Sequence, residues 1–178
     1  PQREGTRTYT QADQGHESAQ FSLGFCYSSG KGVPQNYEKA VEWYTKAADQ
    51  GDATAQLFLG RCYEKGEGVM KNYEEAFKWY EMASEQGDNV AKCLLGECYE
   101  KGLGVRQSYE KAVEWYMKAA KLGVPYAQYL LGICLENGQG ITKNIKEAMQ
   151  WYTRAAEKGQ MSAKQKLKVA LCLSHIYL

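Results

Sequence analysis

Six cysteines, two histidines, a recurring Gly-x-Gly loop and several paired carboxylates are the residues whose types could carry chemistry. Zinc would need ligands clustered at short spacing, whereas Cys26, Cys62, Cys98 and Cys134 each stand alone, 36 residues apart. His16 and His175 lie near opposite ends, so neither a metal triad nor a nucleophile–histidine pair can be assembled from them without folding the chain on itself. Gly30-Lys31-Gly32-Val33 and its copies, ending in Gly138-Gln139-Gly140-Ile141, resemble phosphate loops only superficially. Nucleotide fingerprints need a preceding strand and either a third glycine or a Lys-Ser/Thr pair opening a helix, and neither is present. Glu74-Glu75 reads as a solvated helix face. No catalytic set, metal or cofactor is expected, and the chain is read as not an enzyme.

The elements that carry these residues repeat. Gly15, Gly51, Gly87, Gly123 and Gly159 are spaced 36 residues apart, and so are Ala19, Ala55, Ala91, Ala127 and Ala163. The Trp43-Tyr44, Trp79-Tyr80, Trp115-Tyr116 and Trp151-Tyr152 pairs keep the same interval, as do Gly24, Gly60, Gly96 and Gly132. A fixed period of this length is the mark of a solenoid. Within one period, Ala19, Leu23, Cys26 and Tyr27 fall on one stripe of a first helix, with Gly24 beside it admitting a close neighbour. Tyr37, Ala40, Tyr44 and Ala47 form the stripe of a second helix. Gly30 and Pro34 stop the first helix, Gly51 stops the second, and Asp52 caps the next. Helices are expected at 17–29, 37–50, 53–65, 73–86, 89–101, 109–122, 125–137, 145–158 and 161–175. One such pair cannot bury both stripes, so successive pairs must stack. The expected fold is all-α: a right-handed α-α superhelix of helix-turn-helix repeats. Its boundaries read as a partial leading repeat at 1–15, full repeats at 16–51, 52–87, 88–123 and 124–159, and a capping helix at 160–178.

The repeat resembles the Sel-one-like repeat, a relative of the tetratricopeptide repeat. Ala55, Leu59-Gly60, Tyr63, Gly66, Gly68-Val69, Ala76, Trp79-Tyr80, Ala83 and Gly87 carry the match, which recurs nearly complete four times over about residues 12 to 172. The resemblance implies a scaffold, used as adaptor or substrate-binding module in signalling and protein quality control. Two departures mark the ends. Thr8 to Gly15 looks like a worn second helix without its Trp, and Lys168 and Ala170 replace the Gly and Cys of earlier repeats.

Stacked helices lie about 9–10 Å apart, beyond the roughly 7 Å Cα separation that a disulfide tolerates. The in-phase cysteines therefore cannot bridge, and Cys93 and Cys98 sit on different faces of one helix. All are expected to pack as small hydrophobes, and unpaired thiols point to a reducing, cytoplasmic compartment. A secreted bacterial branch of the family staples each repeat with a Cys pair, and some of its members are associated with β-lactam binding. The second cysteine of each repeat is missing here, which speaks against carrying that activity over.

Charge adds exclusions: 22 basic against 21 acidic residues, interspersed, leave no basic footprint for nucleic acid and no polybasic membrane anchor. No apolar run approaches the roughly 20 residues of a membrane span. A protein or peptide partner remains. Its expected seat is the side of the first helices opposite the packed stripe, the concave face, which the resemblance to tetratricopeptide proteins also implies. Phe21, Phe25, Leu57, Arg61, Lys65, Glu97, Lys101, Tyr126, Tyr129 and Ile133 are the candidate contacts. Ser28, Glu64, Cys93, Glu100 and Glu136 share that side. These positions differ from repeat to repeat, as a surface meeting one ligand can, and the mixed charge fits an extended peptide better than a dense carboxylate clamp. A second hypothesis is an architectural module that dimerises through its terminal helices, since the apolar tail containing Leu171, Leu173 and Ile176 suits burial in a second copy.

Overall fold

The computed structural model describes residues 10–176, with side chains to Ala170. After a helical turn at residues 10–13 come α1 (Glu17–Ser29), α2 (Tyr37–Asp49), α3 (Ala53–Lys65), α4 (Tyr73–Glu85), α5 (Asn89–Lys101), α6 (Tyr109–Lys121), α7 (Pro125–Asn137), α8 (Ile145–Glu157) and α9 (Met161–Ile176). The helical pairs appear where the periodicity places them, except that each second helix ends one residue earlier than expected. There Gln50, Gln86, Leu122 and Lys158 act as the last cap and the following glycine turns the chain. The Tyr9 end of the worn leading helix lies outside the described residues. So do the side chains of Leu171, Cys172, Leu173 and Ile176, on which the dimerisation hypothesis leaned.

Local chemistry explains the boundaries. Asn36, Asn72, Ser108 and Asn144 open the second helices by accepting a hydrogen bond from a first-turn amide, as does Asp52 from Ala55 N at 2.7 Å before α3. Pro125 takes the first position of α7, where its missing N–H costs nothing. Gly66 and Gly138 close first helices in the left-handed conformation, donating to the Cys62 and Cys134 carbonyls.

The residues fall into two compact units, the first ending at Ala91 and the second beginning at Lys92. In the first, Ala40, Tyr44, Ala47, Ala48, Ala55, Leu59 and Cys62 form the core. Gly24 lies under the Tyr44 ring, where a Cβ would stand 2.6 Å from Cδ1, and Gly60 lies under Tyr80 in the same way at 2.5 Å. The sequence expectation that Gly24 admits a close neighbour is met, and the neighbour is the tyrosine of the Trp-Tyr pair. Gly68 is tighter still. Its φ is +74°, and a Cβ there would overlap the Tyr37 carbonyl.

The second unit builds its core from Cys93, Tyr116, Ala127, Leu131, Cys134, Tyr152, Ala155 and Ala163, with Leu167 of α9 packed against it. Gly96 and Gly132 lie under Tyr116 and Tyr152, and Gly140 meets the Tyr109 carbonyl as Gly68 meets that of Tyr37. One further recurring residue escaped the periodic reading. Gln20, Gln56 and Gln128 are buried and donate to the carbonyls of Ala12, Ala48 and Ala120 at 3.1, 3.2 and 3.0 Å, tying each first helix to the end of the preceding one. Lys92 holds this position in the remaining repeat.

Candidate functional site

Among the described residues no group of His, Cys, Asp or Glu could hold a metal ion, and no helix is long and apolar enough to cross a membrane. Cys26, Cys62, Cys93, Cys98 and Cys134 are not joined in disulfides. Burial pushes Cys62 and Cys134 up to about 11 and Cys93 up to about 12, so at neutral pH they are protonated and poorly nucleophilic. The outward side of the first helices, where the sequence places the candidate contacts, differs between the two units.

In the first unit, that side is aromatic and then cationic. Phe21 packs edge-on to Phe58 with ring centroids 5.4 Å apart and lies 5.8 Å from Tyr44. Phe25 meets Phe58 at 6.1 Å, almost perpendicular, and remains 41% exposed. Beside this cluster opens a cleft of about 230 Å³ between the ends of α1 and α3, lined among others by Ser28, Ser29, Tyr37, Phe58, Arg61 and Lys65. Arg61 is exposed and, among the described residues, makes no ion pair or hydrogen bond. Lys65 lies 3.7 Å from Glu67.

The second unit presents the same side differently. Tyr126 and Tyr129 stack at 6.4 Å, with Tyr126 41% exposed, and Tyr129 continues to Tyr152 at 5.8 Å. Lys101 is held by Glu97 one turn before it on α5. The Tyr126 hydroxyl is raised by burial and then by the nearby Glu97 carboxylate. A hollow of about 380 Å³ lies against Tyr129 and Lys166, with Val169 of α9 at its edge.

Five of the ten expected contacts are not exposed. Leu57 is a correction: it is only 5% exposed and is unavailable to a partner. Its repeat equivalent Cys93 is 2% exposed, and Phe21 and Tyr129 at the same position are partly buried against their cores. This position packs in every repeat, and only a ring is long enough to emerge from it. Ile133 is likewise partly buried against the second core. Phe25, Arg61, Lys65, Lys101 and Tyr126 are exposed, and Glu97 is half-buried in its pair with Lys101.

Two features went unread in the sequence. Phe58, adjacent to Leu57, completes the first unit's aromatic cluster. The repeat tyrosines also reach the outward side with their hydroxyls: Tyr80 donates to Glu64 at 2.7 Å, Tyr116 to Glu100 at 2.7 Å and Tyr152 to Glu136 at 2.6 Å. In the first repeat Ser28 replaces the carboxylate and meets Tyr44 at 2.9 Å. A carboxylate sixteen residues before each tyrosine was the available signal, hidden because its first copy is serine. Burial raises the Tyr116 and Tyr152 hydroxyls strongly, and their carboxylate partners raise them further. Burial opposes the charge of Glu136, but hydrogen bonds from Lys166 at 2.7 Å and from Tyr152 outweigh it and hold the carboxyl below its ordinary range.

With this geometry in place, comparison with known proteins decides the family. The Sel1 repeat matches residues 17–52, 53–88, 90–124 and 125–160. The chain belongs to the Sel1 repeat family. Sel1 repeats are protein-interaction scaffolds, typically without catalysis. A solved Sel1 repeat protein from Oxalobacter formigenes is 38% identical over 88% of this chain and 62% of its own, with a TM-score of 0.85. The protective antigen c5321 of uropathogenic Escherichia coli is similar at 38% identity over 88% of this chain and 33% of its own, with a TM-score of 0.84. The chain thus spans about three fifths and one third of these two Sel1 proteins. Helicobacter pylori cysteine-rich protein B is 26% identical over 72% of this chain and 92% of its own, with a TM-score of 0.58. No match was found among curated protein sequences.

Proposed function

We propose that this Sel1 repeat protein is an adaptor that binds an extended stretch of a partner protein on the outward side of its first helices. The observation that supports this most is the contrast between frame and face. Tyr44, Tyr80, Tyr116 and Tyr152 are identical and fully buried, whereas Phe25 and Tyr126 leave large aromatic surface wet beside charged groups. Aromatic residues in such settings are the usual anchors of protein recognition. The free thiols support a reducing compartment, the cytoplasm, as its place of work.

The reading is tested with a displayed library of random peptides selected on the whole chain. A photo-crosslinking amino acid is placed in turn at Phe25, at Tyr126 and at Met82, a residue of α4 with comparable exposure. Crosslinks to selected peptides are expected from positions 25 or 126 and not from 82. Crosslinking from 82 alone would overturn the proposal.

A second reading, self-association through the last helix, draws on Met161 and Val169, which are 71% and 54% exposed. Light scattering of Val169→Glu beside the parent decides it: a parent of monomer mass ends this reading.

A further inference from the structure

Among the described residues, the cleft of the first unit is set apart from the rest of the outward side by a cation, Arg61, that no carboxylate pairs with. Arg61 has no partner among the described residues, and the Lys65 side chain is 59% exposed with its nearest carboxylate, Glu67, at 3.7 Å. The repeat position that elsewhere supplies a glutamate, at Glu64, Glu100 and Glu136, is Ser28 on this wall of the cleft. The hydroxyls lining it are unequally committed. Ser29 donates to the Phe25 carbonyl at 2.6 Å, and Ser28 shares its hydrogen bond with Tyr44. The Tyr37 hydroxyl accepts from Gln35 at 2.9 Å, which leaves its own proton to donate. Phe25 and Phe58 form the apolar shoulder next to these donors.

We infer that this cleft seats one acidic side chain, Asp or Glu, of an extended partner segment, with the adjoining aromatic or aliphatic residue against Phe25 and Phe58. Two cations less one carboxylate leave a single positive charge. That matches a carboxylate and falls short of the roughly −1.5 to −2 of a phosphoryl group. Arg61 offers the planar fork suited to a carboxylate, Lys65 a second charge, and Tyr37 a neutral donor. Arg61 and Lys65 both stand exposed at the rim, so the acid enters from a chain running across the cleft. The inference rests on the adaptor reading and names the residue that the first unit selects.

The test sequences the peptides selected on the whole chain, then measures binding of one of them by fluorescence anisotropy. Asp or Glu next to an aromatic or aliphatic residue is expected to be enriched. Replacing that acid by its amide, or introducing Arg61→Glu or Ser28→Glu, is expected to weaken binding by about tenfold or more, with the melting temperature unchanged in Arg61→Glu and not lowered in Ser28→Glu, whose carboxylate can accept from Tyr44 as Glu64 does from Tyr80. Lys121→Glu, at an exposed position of the second helix α6 away from the outward side, leaves it unaltered, and added salt weakens it. Should Arg61→Glu disturb folding, Arg61→Gln is expected to show the same loss in smaller measure. Peptides that crosslink from position 25 yet show no acidic preference and no response at Arg61 sink the inference while the adaptor reading stands. No crosslink from position 25 removes the adaptor reading for this unit. Tighter binding when the acid is exchanged for phosphoserine overturns the carboxylate assignment, and loss of binding on amidating the peptide's C-terminus transfers it to a terminal carboxylate.

Discussion

The two units use one frame and finish it differently. In both, a glycine lies beneath a buried tyrosine, and a second glycine in the loop meets the carbonyl that starts a second helix. In the second unit the tyrosine hydroxyls end on carboxylates, and the cations on the same side are consumed, Lys101 by Glu97 and Lys166 by Glu136. In the first unit Tyr80 also ends on a carboxylate, Glu64, but Tyr44 ends on a neutral hydroxyl, and among the described residues Arg61 is left without a partner. Repetition therefore fixes how helices stack, while one substitution at a position touching both frame and face, serine for glutamate, changes the charge that a visitor meets.

The shared part of the comparison is challenged hardest at the loop glycines. At Gly68 and Gly140 a Cβ would overlap the carbonyls of Tyr37 and Tyr109, and the backbone is left-handed at φ +74° and +66°. Relief requires moving backbone, so each alanine substitution is expected to cost about 3 kcal/mol, combining the left-handed penalty with overpacking. Urea denaturation should show losses of similar size for Gly68→Ala and Gly140→Ala. A large loss at one and none at the other would break the claim of a common frame.

The difference between the serine-ended first repeat and the carboxylate-ended ones is sharpened at the tyrosine hydroxyls. Tyr116→Phe removes a hydrogen bond to a carboxylate and leaves Glu100 short of a donor, whereas Tyr44→Phe removes one between neutral hydroxyls. Bonds to charged groups are worth more, so losses of about 2 kcal/mol and about 1 kcal/mol are expected, in that order. Equal shifts in the urea midpoint would mean that the Ser28 substitution has no energetic consequence.

Acid separates Ser28 from its equivalent Glu136 further. The folded Glu136 carboxyl lies below its ordinary value because of Lys166 and Tyr152. Its contribution is present above the unfolded glutamate value of about 4.3 and fades as pH falls through the lowered folded value. Thermal melts on the acid side should therefore lose less stability in Glu136→Gln and in Lys166→Met than in the parent. Ser28 at the equivalent position carries no such dependence, and an unchanged acid slope in both variants would remove this distinction.

The frame was open to reading because stacking imposes identical demands on every unit. The glycines that stop the helices, the glycine beside each first-helix stripe, the stripe alanines and the Trp-Tyr pairs recur at one interval and betray their roles by recurring. The face was only half legible. Phase alone placed Leu57 on the outward side, but its position packs in every repeat, as Cys93 shows, and a helical wheel does not distinguish a crest from a flank. Phe58 was passed over for the same reason, one residue farther along. The tyrosine–carboxylate bond joins residues sixteen apart on different helices, a distance that no helical period reports.

The smallest expected effects bear most directly on function. Arg61→Ala removes an exposed cation without a partner, and Lys101→Ala removes one whose ion pair with Glu97 spans a single helical turn. The first should leave the urea midpoint unaltered, and the second should lower stability by no more than about 0.5 kcal/mol, the ordinary worth of an exposed pair of this spacing. A charge that contributes nothing to folding is free to meet a partner, whereas one engaged by a neighbour must first be released. If Arg61→Ala proved clearly destabilising, Arg61 would belong to the frame, and the contrast between an open cleft and a self-neutralised face would fail at its central residue.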